Sequence, residues 1–185
     1  GLPSGMESAA AKLYWQAFGK KLGKLLGPAP RGERFFCETI NWSSIIAATQ
    51  DGELLGIVAF KSNGVGFSRA GARDLFRHYG FGAFWRFLPL AMLERSSADD
   101  TLQMDGICVS ASARGKGVGT ALFNALFAHA RQSNFSYISL DVIDTNPRAK
   151  ALYERLGFEA TKTESTSVLQ PLLGFAYATK MRRVL

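Results

Sequence analysis

The sequence predicts an α/β fold, a mixed and twisted sheet with helices on both faces. Three observations carry this expectation. An apolar run (Ile107, Cys108, Val109) is followed by a small-residue turn from Ser110 to Ala113 and by glycines at 115, 117 and 119. Apolar residues then recur at helical spacing (Ala121, Leu122, Ala125, Leu126, Phe127, Ala130), so the segment reads as strand, glycine loop, helix. A second strand-then-helix unit starts at Leu140–Ile143, and two β-rich runs around Gln50-Asp51-Gly52 form a hairpin.

The bounds of the chain agree with this. A length of 185 residues suits one domain with a sizeable core, spanning 1–185. With 47% hydrophobic and 20% charged residues it is not a largely disordered chain. The longest apolar stretch, Phe81 to Leu93, is interrupted by Arg86 and Pro89, and no membrane span is expected. The opening Gly1–Gly5 lacks an initiating Met and the basic-then-apolar pattern of a secretory signal. Cys37 and Cys108 are the only cysteines, and with Cys108 in a predicted buried strand no structural disulfide is expected; the natural home is a reducing cytoplasm. His78 and His129 have no cysteine or carboxylate companions at metal spacing, so no metal is expected. The net charge of +7 is that of a solvated basic surface or of a protein that attracts a polyanion.

In chain order, Glu7 to Leu26 is a helix, because Ala10, Leu13, Tyr14, Ala17, Phe18, Leu22, Leu25 and Leu26 form an apolar stripe beside lysines. Gly27 to Pro30 ends it, and Arg31 to Ile40 is a second short helix with Phe35, Phe36 and Ile40 inward. Ser44–Thr49 and Glu53–Lys61 are antiparallel strands. Residues 62–97 form an aromatic and basic helical insertion: a loop at Asn63–Gly66, then Ala72–Tyr79 and Phe81–Arg95 split near Gly80 and Gly82. Its aromatics (Phe76, Tyr79, Phe81, Phe84, Trp85, Phe87) alternate with Arg69, Arg73, Arg77 and Arg86. Three roles are open for it: an extra core layer, a lid or wall of a ligand site, or a dimer or membrane-surface contact. Aromatic and arginine side chains also stack on bases, but nothing else in the chain supports nucleic acid. Leu102–Val109 and Tyr137–Ile143 are further strands, the latter followed by a helix that Asn146 caps and Pro147 opens. Phe158–Glu164 and Gly174–Arg182 are two last strands, joined by a loop from Ser165 to Leu173 that holds Pro171.

The glycine loop carries the chemistry. The first turn of a helix has backbone N–H groups without intrahelical partners and a positive dipole end. Gly115, Gly117 and Gly119 leave those groups accessible, Arg114 and Lys116 add charge, and the expected ligand is a phosphate or pyrophosphate. No Lys-Ser/Thr pair follows the glycines, as a P-loop needs. The spacing Gly115-x-Gly117-x-Gly119 also departs from the dinucleotide fingerprint at its third glycine.

What fits is Arg114-x-x-Gly117-x-Gly119, which resembles the acyl-CoA pyrophosphate loop (Arg/Gln-x-x-Gly-x-Gly/Ala) of the GNAT superfamily of N-acetyltransferases. A second segment, Asn146-x-x-Ala149-x-x-x-Tyr153-x-x-x-Gly157-Phe158, is similar to that family's Asn-x-x-Ala-x-x-x-Tyr-x-x-x-Gly-Phe pattern. The resemblance covers about Leu102 to Thr163 closely and the rest loosely. It implies a mostly antiparallel sheet in which the strands at Leu102–Val109 and Tyr137–Ile143 run parallel and splay apart to admit CoA. It implies acetyl-CoA as co-substrate and no metal. The backbone of Ile107, Cys108 and Val109 would pair with the pantetheine arm, and Arg114, Gly115, Lys116, Gly117, Val118, Gly119 and Thr120 would hold the pyrophosphate. Asn146 would hydrogen-bond the pantetheine, cap its helix, or do both. The chain departs from the pattern at its start, where Gly1–Gly5 is too short to supply the family's first strand.

The activity implied is transfer of the acetyl group to a primary amine by direct attack in a ternary complex. The acceptor is a small molecule or a peptide, with Tyr14, Trp15, Phe18 and Phe35 as pocket walls or as core. Tyr153 is the candidate general acid, and Asp105 a general base acting directly or through water, or else only a turn contact. Cys108 reads as core, not as a nucleophile. The alternatives are a non-catalytic acyl-CoA-binding regulatory module, which keeps the loop without a working acceptor pocket, and a nucleotide-phosphate-binding protein. Dimers are common in the family, and the oligomeric state is open.

Overall fold

The computed structural model describes residues 1–61, 66, 68, 70–91, 98–167 and 170–185. Its elements are α1 (Glu7–Leu26), α2 (Ala29–Thr39), β1 (Ile45–Gln50), β2 (Glu53–Lys61), α3 (Ala72–Tyr79), α4 (Ala83–Ala91), β3 (Thr101–Val109), α5 (Val118–Gln132), β4 (Tyr137–Ile143), α6 (Pro147–Arg155), β5 (Glu159–Ser165), α7 (Gln170–Leu173) and β6 (Tyr177–Val184). Six strands form one sheet in the order β1-β2-β3-β4-β6-β5, and β3 with β4 is its parallel pair.

Alternation along the strands builds a core on each face. Ile57, Ala59 and Cys108 pack with α1, α2 and α3, whereas Val58, Phe60, Leu102, Met104, Leu140 and Met181 pack with α5 and α6. The β1–β2 hairpin turns through Asp51 (φ 50°) and Gly52 (φ 80°), the left-handed pair that a two-residue turn requires. α2 lies close on α1 because position 32 is glycine: a Cβ there would fall inside the Trp15 indole. It begins two residues before the expected Arg31, since Pro30 sits in the first helical turn, where a missing N–H costs nothing.

Two other boundaries differ from expectation. Gly80–Gly82 forms a 3-10 turn, so α4 starts at Ala83 rather than Phe81. The expected loop from Ser165 to Leu173 contains the four-residue helix α7, with Pro171 in its first turn. Within the aromatic segment, Leu75, Tyr79 and Ala83 are buried, and the Tyr79 hydroxyl donates to Leu26 O at 2.7 Å. Residues 62–65, 67, 69 and 92–97 of that segment, among them the expected loop at 63–65, Arg69 and Arg95, lie outside the described residues.

Candidate active site

Two features of the sheet shape the site. The first is the fork between β3 and β4. Their pairing runs from Thr101↔Tyr137 through Leu102↔Ile138 to Gln103↔Ser139 and ends there. Beyond that rung β3 continues to Val109 against β2, and β4 to Ile143 against β6. The facing edges of residues 104–109 and 140–143 therefore diverge, and an extended ligand can lie between them as an added strand. The second is a β-bulge in β3. Its register against β2 steps from Phe60↔Met104 to Ala59↔Gly106, which leaves Asp105 as the extra residue and re-aims its side chain.

The glycine loop stands at the open end of the fork, where β3 leads through a 3-10 turn at Ala111–Ala113 into α5. Gly115 (φ 74°) and Gly117 (φ 81°) are both left-handed. A Cβ at 115 or 117 would meet nothing within 4 Å, and one at 119 only Val109 Cγ2 at 4.0 Å. The space around the loop is open. Gly117 is the N-cap of α5 and no side chain among the described residues caps this end, while its carbonyl accepts from Ala121 N. The N–H groups of Val118, Gly119 and Thr120 consequently have no intrahelical acceptor. Arg114 and Lys116 are exposed beside them, and Arg114 Nε donates to Val109 O at 3.3 Å, which ties the loop to the end of β3. This cradle of N–H groups, open space and two cations fits a pyrophosphate.

β4 leads to α6 through Asn146. Its Oδ1 accepts from Ala149 N at 3.3 Å, a side-chain cap that leaves the amide N–H groups free for other use. Ile107, Cys108 and Val109 line the diverging edge of β3. The Cys108 thiol is buried in the α1-side core and burial pushes its pKa up to about 12, so it is a neutral thiol and a poor nucleophile.

Tyr153 and Asp105 approach the fork from opposite faces of the sheet. Tyr153 packs on the α5 side against Phe123 (5.8 Å between ring centroids) and Phe158 (6.1 Å), with 8% exposure. Burial pushes its hydroxyl up to about 12, so it stays protonated in neutral solution. Among the described residues no hydrogen-bond partner for that hydroxyl is found, and it is not sealed in the core. Asp105 is exposed on the α1 side. There Tyr14 of α1 is buried, and burial, with Asp105 and then Cys108 adding to it, raises its hydroxyl well above the usual tyrosine range. Phe18, one turn on, stacks on Tyr14 at 4.5 Å and covers Gly106. All four aromatics expected to wall the acceptor pocket or fill the core belong to or pack on the α1-side core, Tyr14, Trp15 and Phe35 each against Phe36; Tyr14 and Phe18 also adjoin Asp105 and Gly106 of β3.

Two further residues at the fork belong to no motif in the sequence. Gln103 and Ser139, on the last shared rung, are 3% and 1% exposed, and among the described residues Gln103 Oε1 and Ser139 Oγ have no hydrogen-bond partner. A polar residue between apolar neighbours in each strand (Leu102, Gln103, Met104; Ile138, Ser139, Leu140) is the signal that would have found them. Unsatisfied buried polar atoms are uncommon and concentrate where a structure serves something besides stability.

Comparisons with known proteins speak to the family and the fold. The family described as Acetyltransferase (GNAT) family matches residues 9–158. A curated relative, mycothiol acetyltransferase of Corynebacterium jeikeium (strain K411), is 32% identical over 94 residues, which are 51% of this chain and 27% of that protein. The chain thus matches about a quarter of the length of that relative. Among solved structures, an N-acetyltransferase from Staphylococcus aureus Mu50 superposes with a TM-score of 0.64 at 19% identity, over 96% of this chain and 94% of that one. A Bacillus anthracis str. Ames protein solved in complex with acetyl coenzyme A superposes with a TM-score of 0.54 at 18% identity, over 81% and 68%. At these identities the structures show a shared fold.

Proposed function

The chain belongs to the GNAT acetyltransferase family, and from that premise we propose that it transfers the acetyl group of acetyl-CoA to a primary amine in a ternary complex. One observation carries the reading: an open, uncapped glycine cradle stands at the mouth of a forked parallel strand pair, with a neutral tyrosine and a carboxylate on opposite sides of the fork.

In this reading the N–H groups of Val118, Gly119 and Thr120, with Gly115, Gly117, Arg114 and Lys116, hold the pyrophosphate. The diverging edge of β3 at Ile107, Cys108 and Val109 holds the pantetheine arm by backbone hydrogen bonds, and the free amide of Asn146 adds a donor. The thioester then lies near the fork. The amine nitrogen attacks its carbonyl carbon, the C–N bond forms, and a backbone N–H near Val109 stabilises the oxyanion. Asp105, directly or through water, takes the proton that the amine loses. As the C–S bond breaks, Tyr153 donates its hydrogen bond, and along it the proton, to the departing sulfur. A tyrosine with a satisfied hydroxyl would be a core residue; the protonated hydroxyl of Tyr153, without a hydrogen-bond partner among the described residues, favours the catalytic role.

The acceptor class is a small molecule or peptide bearing a primary amine, with Tyr14 and Phe18 forming the wall next to Asp105. A reducing cytoplasm is the setting that keeps Cys37 and Cys108 as the free thiols they are here. The test is release of CoA thiol from acetyl-CoA in the presence of an amine library that includes mycothiol-type acceptors, given the name of the curated relative. Amine-dependent release supports the enzyme. Tight acetyl-CoA binding with no release by any amine supports the regulatory module instead.

A further inference from the structure

The outer face of α3 and α4 is built inside out. Phe81, Phe84 and Trp85 are 94%, 77% and 85% exposed, and Phe76 is 45% exposed. Phe76 and Phe84 touch across the two helices at 6.4 Å, so the aromatics form one patch. The adjacent arginine does the opposite. Arg86 turns inward, donates from Nε to Leu25 O at the end of α1 and from Nη1 to Gly82 O, and lays its guanidinium 4.7 Å above the Tyr79 ring. A segment shaped only for water would show the arginine and bury the tryptophan. Arg73 and Arg77 lie three and four positions apart from Phe76 and Phe81 on the outer side of the segment, and both are exposed.

We propose that this patch docks on the surface of an anionic lipid bilayer, with the aromatics in the headgroup and acyl boundary and Arg73 and Arg77 on the anionic headgroups. Two arguments select this occupant. The four side chains expose the equivalent of about three whole aromatic residues, on the order of 600 Å² at ~200 Å² each. Apolar area of this size can be held in the headgroup and acyl boundary without a partner surface of matching shape. Charge complements it: arginines flank the patch on a chain of net charge +7, which repels a second copy and attracts an anionic surface. No helix among the described residues is long and apolar enough to cross a membrane, so the contact is peripheral.

The experiment is co-sedimentation with vesicles of phosphatidylserine and phosphatidylcholine, against pure phosphatidylcholine, together with tryptophan emission and the size of the free protein. Trp15 is buried and Trp42 half-buried, so a blue shift on binding reports Trp85. Wild type should partition onto the mixed vesicles with a blue shift, and should bind less at high salt and on the neutral vesicles. The double variant Phe81→Ser with Trp85→Ser changes only exposed side chains, and its melting temperature checks that it is folded. It should lose about tenfold or more of the partitioning. Arg73→Gln with Arg77→Gln should remove much of the salt dependence. No partitioning of wild type at low salt, or equal partitioning by the aromatic double variant, overturns the proposal. So does a wild-type dimer that the aromatic double variant dissociates, which would assign the patch to a second copy.

Discussion

Gln103 and Ser139 are partners on the last rung of the parallel pair β3–β4, and each buries a side-chain oxygen that has no hydrogen-bond partner among the described residues. The sheet opens immediately beyond them. An unsatisfied buried hydroxyl costs its desolvation, about 1–3 kcal/mol, whereas an apolar group of similar size does not. Ser139→Ala should therefore raise the stability of the fold by about 1 kcal/mol, read as a higher midpoint in urea with an unchanged slope. A loss of that size would show that Oγ has a partner in solution.

Phe18 sits on Gly106 so closely that a Cβ at 106 would stand 2.7 Å from its ring. Gly106→Ala should push the ring aside and cost about 1–3 kcal/mol through overpacking. Phe18→Ala should also destabilise, and the two changes together should cost less than their sum, since the second removes the clash made by the first. Denaturant titration of the four proteins measures this coupling; strict additivity would place Phe18 elsewhere.

The acid-base behaviour of Tyr153 gives two outcomes. Its hydroxyl is raised in the fold from 10.0 to about 12 by burial, and the Cys108 thiol from 9.0 to about 12, again chiefly by burial. A folded state that holds protons more tightly than the unfolded chain is stabilised below the unfolded pKa values. It loses that stabilisation as pH rises through the folded ones. Stability should accordingly fall from about pH 9 towards pH 12, and Tyr153→Phe should flatten part of the fall, as unfolding midpoints across that range would show. At neutral pH the same variant should stay folded and lose about 10²-fold or more in turnover, if measured with the acceptor that the amine screen yields. Full turnover would return Tyr153 to the core.

Asn146 caps α6 through Ala149 N. Asn146→Ala should cost about 1 kcal/mol of stability. Asn146→Asp keeps the cap but replaces the free amide donor by a carboxylate oxygen. It should leave the melting temperature near that of wild type while raising the Michaelis constant for acetyl-CoA. Wild-type stability of Asn146→Asp together with an unchanged constant would leave Asn146 a cap alone.

Much of the fold was legible because its signals are local. The helix Glu7–Leu26, the strands Glu53–Lys61 and Tyr137–Ile143 and the helix Ala72–Tyr79 stand where apolar period and turn residues put them. Asp51-Gly52 specified its hairpin by the left-handed backbone it needs. The fork was expected only through resemblance, because where two strands stop pairing depends on what lies beside each of them. The bulge at Asp105 was illegible for a like reason: one extra residue in β3 is visible only against the register of β2. The exposure of Phe81, Phe84 and Trp85 ran against composition, since aromatic residues on a short helix normally read as core. In α7, proline and short length hid a helix inside an expected loop.

The central claim is that the cradle at the start of α5 holds the pyrophosphate of CoA, and Gly119→Glu tests it most directly. Position 119 has ordinary backbone geometry and room for a Cβ, unlike Gly115 and Gly117, whose left-handed backbones would strain under any side chain. A glutamate in the first turn also favours the helix dipole, so the variant should fold at least as well as wild type. By calorimetry, wild type should bind acetyl-CoA and CoA, and Gly119→Glu should bind both more weakly by about tenfold or more, because its carboxylate occupies and repels the anion's place. Equal binding by the two folded proteins, or no binding by wild type, would contradict the account.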